Sequence, residues 1–182
     1  MAAALKHKLP LAAGVAALVL AVLAVMSPDR QGSLGEFVAS GPMKHIAVAD
    51  VQELTVSVGA KTLALRRDAS QAWQPIAAAL QGASAASLGA RVETGLRLLH
   101  NTPAERRFDA DSPDFGLASP ALRITVLGRP TERFEIEFGA ANPMGLSRYA
   151  RVRAGVHESA AVLLLPADVA QAWEAVASAA PP

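Results

Sequence analysis

Leu9–Met26 is an unbroken run of 18 residues without a charged or strongly polar side chain, and few structures accommodate such a run. At a helical rise of about 1.5 Å per residue it reaches roughly 27 Å, enough to cross a hydrocarbon core. No face of the helix would be polar, which argues against a buried soluble helix. Lys6 and Lys8 stand immediately before the run, and positive charge at that end holds an N-terminus in the cytoplasm. The expectation is a single-pass bacterial inner-membrane protein. Residues 1–8 would be cytoplasmic, residues 9–27 an uncleaved signal-anchor held in the membrane through 9–26, and the rest periplasmic.

A cleaved secretion signal also begins with basic residues and an apolar stretch, but cleavage wants small residues one and three positions before the cut. The run ends Ala24-Val25-Met26-Ser27-Pro28, where a bulky Met or an adjacent Pro obstructs that pattern. Val38-Ala39-Ser40 fits better, yet it lies about a dozen residues beyond the apolar run.

Of 17 Lys+Arg and 16 Asp+Glu, the first 30 residues hold three and one, leaving 14 against 15 in the exported part. That balance gives no electrostatic case for nucleic acid or an anionic surface. The chain has no Cys, which excludes disulfides, a thiolate zinc site, an iron–sulfur site and a Cys nucleophile.

Residues 28–44 read as a tether, because Gln31–Pro42 carries three Gly, two Ser and one Pro without an apolar period. Beyond it, Leu54-Thr55-Val56-Ser57-Val58 alternates, and Leu63-Ala64-Leu65-Arg66 repeats the alternation after Gly59-Ala60-Lys61, predicting a hairpin. Trp73 is expected to cap the apolar face of the sheet. Leu88, Val92, Leu96 and Leu99 then form one helical stripe, with Glu93 and Arg97 spaced to pair on the outer face and Asn101 with Pro103 ending the helix.

Four more strands are legible around Leu122–Val126, Phe134–Phe138, Ala150–Ala154 and Val162–Leu165, joined by short turns that favour antiparallel pairing. Pro166 and Asp168 suit the start of a second helix whose stripe is Val169, Trp173 and Val176. The predicted fold is α+β over residues 45–178, an antiparallel sheet of about six strands with two helices on one face, followed by a tail at 179–182.

The order of parts, with Gly116-Leu117-Ala118-Ser119-Pro120 and Tyr149-Ala150-Arg151-Val152 as the best matching elements, resembles an uncharacterised bacterial envelope-domain family. Its members occur, sometimes as tandem copies, in proteins encoded beside GldG-like auxiliary components of ABC transporters. The likeness runs over roughly residues 45–167, about one domain copy. It implies fold and location and carries no catalytic residues with it.

Asp109, Asp111 and Asp114 form the only dense acidic cluster and invite a calcium reading, but the spacing departs from an EF-hand loop at Pro113, Asp114 and Pro120. A solvated, turn-capping loop is the plainer account. Arg148, Tyr149, Arg151 and Arg153 could contact an anion or a partner, since Arg151 and Arg153 share a strand face with Tyr149. Cross-strand ion pairs with Glu135 and Glu137 are the plainer account of that face. His45, His100 and His157 each stand alone, and Ser57 and Lys61 straddle a turn that does not align them.

No catalytic residue, cofactor or metal is expected. The reading is a non-enzymatic accessory or scaffold protein of an envelope or transporter complex. The alternative is a periplasmic small-ligand or metal-binding module using the Arg151/Arg153 face or the Asp109 loop.

Overall fold

A computed structural model of the chain describes residues 39–76, 84–155 and 160–179. The expected anchor, most of the expected tether and His157 lie outside the described residues. Among the described residues no helix is long and apolar enough to cross a membrane.

The alternating segments form strands as expected. β1 (Val51–Val58) and β2 (Lys61–Arg67) make the hairpin, followed by the three-residue β3 (Trp73–Pro75). α1 (Ser84–Asn101) comes next, then the three-residue β4 (Arg106–Phe108). β5 (Leu122–Gly128), β6 (Arg133–Ala141), β7 (Ser147–Ala154) and β8 (Ala161–Pro166) precede α2 (Ala167–Ser178). All eight strands join one antiparallel sheet in the order β3-β2-β1-β5-β6-β7-β8-β4. The α+β class and the antiparallel sheet stand, with eight strands among the described residues in place of the expected six or so. The two additions, β3 and β4, are the sheet's edges.

Both helices lie against the same face. The α1 stripe of Leu88, Val92, Leu96 and Leu99 and the α2 stripe of Val169, Trp173 and Val176 join the inward residues of β1, β2 and β5–β8 in a single core. Fully burying one such Leu stabilises the fold by about 1.5–3 kcal/mol. The helices meet where Gly95 faces Trp173; a Cβ at Gly95 would stand 2.7 Å from the indole, inside van der Waals contact.

Two expectations about polar side chains and boundaries change. Glu93 does not pair with Arg97 but accepts from Arg67 Nη2 at 2.6 Å and from Trp73 Nε1 at 2.8 Å. The Arg67 side chain is only 8% exposed, so its charge needs a carboxylate, and the guanidinium also donates to the Val51, Val48 and Gln71 carbonyls.

The packed domain also starts ahead of residue 45. Met43 and Ile46 are buried, Gly41 N donates to the His100 carbonyl, Met43 N to that of Leu99, and Ser40 Oγ to that of Asn101. The last turn of any helix leaves carbonyls without intrahelical partners, and residues 40–43 of the supposed tether supply the donors for α1.

Candidate functional site

The sheet face away from the helices is polar over β2, β1, β5 and β6. Register sets Glu137 opposite both Arg123 and Arg151, and Glu135 opposite Arg153 and Thr125. Arg151 Nη1 donates to Glu137 at 3.1 Å and Arg153 Nη1 to Glu135 at 3.0 Å. Arg123 donates to Glu137 through Nε and Nη2, and Arg133 approaches Glu135 at 3.5 Å. Alternation on antiparallel strands thus builds a ladder of four guanidiniums and, counting Asp111, three carboxylates. The Glu137 carboxylate is nearly inaccessible at 4% side-chain exposure, while Arg123, Arg133 and Arg153 remain about half exposed.

Toward β7, β8 and β4 the same face is roofed by the β4–β5 connection. Phe115 stacks on Tyr149 with centroids 4.2 Å apart, Phe108 closes the trio, and Leu117 is buried. Two glycines let the roof descend. Gly116 has φ +66°, the left-handed region, where it ends a 3-10 turn at Pro113–Phe115. Gly139 on β6 lies so close to the Phe115 carbonyl oxygen that a Cβ there would be 2.1 Å from it. The Gly-Leu-x-x-Pro element is therefore a backbone-to-backbone contact.

The predicted site residues divide accordingly. Tyr149, Arg151 and Arg153 share the outer face, and Arg148 turns to the helix side, where it pairs with Glu174 of α2 and donates to the Gly139 carbonyl at 3.0 Å. Arg151 also holds the Leu117 carbonyl at 3.0 Å and pairs with Asp111. Burial draws its pKa down, but the hydrogen bonds to Asp111 and Glu137 outweigh burial and leave it raised. Asp109, Asp111 and Asp114 are not gathered around a point; Asp111 faces Arg151, and Asp114 lies inside the 3-10 turn, its amide donating to the Ser112 hydroxyl. Among the described residues no three His, Asp or Glu side chains are placed to hold a metal ion. His100 Nδ1 lies 3.3 Å from the Met43 carbonyl.

A feature that sequence reasoning passed over lies on the helix side of the sheet, at the ends of β7 and β8. A cleft of about 520 Å³ opens between the 40–45 segment, the residues after α1 and the strands. Lys44, His45 and Arg107 stand on its rim, and Val152, Ala154, Ala161 and Leu163 make its floor. Arg107 reaches it because β4 pairs Arg107 with the inward-facing Leu163. Lys44 and Arg107 are 63 residues apart and belong to no motif. The one available signal was the Met43/Ile46 spacing, which marks residues 40–46 as packed chain.

Comparison with known protein families, with curated proteins and with solved structures finds no match.

Proposed function

We propose that this protein is a membrane-anchored, non-enzymatic accessory or scaffold of a bacterial envelope complex. One transmembrane pass through residues 9–26 would hold it in the inner membrane, with the α+β domain in the periplasm and a transporter-type assembly as its setting. The single observation that carries the reading is the outer face of the sheet over β2, β1, β5 and β6, which no described element covers. Across β2, β1 and β5 it offers short hydroxyls at Thr55, Ser57, Thr62 and Thr125, beside the half-exposed Arg123 of β5, Arg133 of β6 and Arg153 of β7. Such a face is nearly charge-balanced and rich in donors, which suits a protein surface that can exchange ion pairs with it. The apolar run, and the resemblance to envelope domains seen in the sequence, support that location.

The test is affinity capture of the full chain from detergent-solubilised membranes. A stoichiometric envelope protein, lost when Arg123, Arg133 and Arg153 are all changed to Ala, supports the reading. Recovery of the chain alone, from membranes where it is expressed at native level, overturns it.

A further inference from the structure

We infer that the cleft beside residues 40–45 is a binding site for a small anionic amphiphile, a carboxylate- or phosphate-headed molecule with a short aliphatic body. The inference is independent of the partner-binding face, which lies on the opposite side of the sheet. Its first support is charge. Seven arginines of the domain meet a carboxylate within ion-pairing distance. Among the described residues Lys44 and Arg107, on this rim, meet none, and no described Asp or Glu belongs to the cleft lining. Two cations at one opening, with no carboxylate partner among the described residues, form an anion-attracting mouth. A guanidinium adds two parallel donors matched to carboxylate or phosphate oxygens.

The second support is the floor. Ala150 and Leu165 have no exposure, whereas Val152 and Leu163, their neighbours on the same face of β7 and β8, keep 7% and 8%. The core thus reaches solvent at the cleft, and the small side chains of Ala154 and Ala161 leave the hollow unfilled. A volume of about 520 Å³ falls within the span of roughly 300–1,000 Å³ usual for small-molecule sites. A cationic rim over an aliphatic floor selects a ligand with an anionic head and an apolar body, and neither half alone satisfies both surfaces.

The experiment uses the full chain in phosphatidylcholine nanodiscs, with the methyl signals of Val152 and Leu163 followed by NMR. Hexanoate, hexyl phosphate, hexylammonium, acetate and inorganic phosphate are titrated separately. We expect saturable shifts with hexanoate or hexyl phosphate and at least about tenfold weaker binding in the Lys44→Ala/Arg107→Ala double variant, the loss of a charge-assisted contact. Ala154→Leu, which fills the floor and leaves the rim intact, should also abolish the shifts. The carboxylate and phosphate arms separate the two head groups. Discs doped with phosphatidic acid show whether the head comes from a lipid, because they then block the hexyl phosphate titration. No saturation with either hexyl anion overturns the proposal. So does equal binding of hexylammonium, undiminished binding by the folded double variant, or binding of acetate or inorganic phosphate as tight as that of the hexyl anions.

Discussion

Arg66 and Arg67 are adjacent in sequence and differ in everything else. Arg66 is on the outer face, 61% exposed, with one contact to Glu53, while Arg67 is buried and binds Glu93 and three carbonyls. An ammonium cannot reproduce that fork. Arg67→Lys should therefore lower unfolding stability by about 1–3 kcal/mol, and Arg66→Lys should change it by less than about 0.5 kcal/mol, both read from urea denaturation. The same contrast holds on β7. Arg151→Ala uncovers the buried Glu137 carboxylate and frees the Leu117 carbonyl, and should cost about 1–3 kcal/mol; Arg153→Ala, at a half-exposed pair, should cost no more than about 1 kcal/mol.

Asp68 gives a pH signature at this scale. The Ser70 hydroxyl, the Ala72 amide, Gln74 and the Ser70 amide all donate to its carboxylate and hold its pKa below the ordinary value of about 3.9. Near and below that value the unfolded carboxyl binds protons that the folded one does not. The turn's contribution is therefore complete above about pH 5 and is lost as pH falls through the unfolded and then the folded pKa. In an NMR titration Ser70→Ala should move the Asp68 midpoint upward.

At the scale of elements, two glycines set how closely layers approach. Gly95→Ala should press on the Trp173 ring and cost about 1–3 kcal/mol by separating α1 from α2. Gly139→Ala meets the Phe115 carbonyl, a backbone atom that cannot swing aside, and should cost as much or more. Loss of the Phe115–Tyr149 stacking signal in near-ultraviolet circular dichroism would mark the lifted roof.

Elements with strong periods were legible in the sequence. The hairpin, four central strands, both helical stripes and the Arg–Glu cross-strand pairing all follow from alternation or 3.6-residue spacing. β3 and β4 were not, because three residues cannot display a period; Trp73-Gln74-Pro75 and Arg106-Arg107-Phe108 become strands only by pairing with β2 and β8. Glu93 misled for a related reason. Its i,i+4 spacing to Arg97 is a local signal of a few tenths of a kcal/mol, and the buried Arg67 outbids it from another element.

At the scale of the whole molecule, the described residues fill one face of the sheet with helices and leave the other open over β2, β1, β5 and β6. On the filled side residues 40–46 complete the end of α1 and wall the cleft, a relation between segments about 60 residues apart that no local pattern announces. On the open side the ion-paired ladder stands between the roofed edge and the hairpin. The outer-face arginines were legible as a group, but Arg148 belongs with Glu174 on the other side.

The central claim is that the open face meets an envelope protein while the domain is anchored. A photo-crosslinking residue placed at Thr125, in the middle of that face, tests it in intact cells against the same residue at Arg97 on the exposed side of α1. The account predicts one discrete crosslinked envelope protein from position 125 and none from 97. No adduct from 125, adducts of equal yield from both positions, or an adduct to a cytoplasmic protein would contradict it.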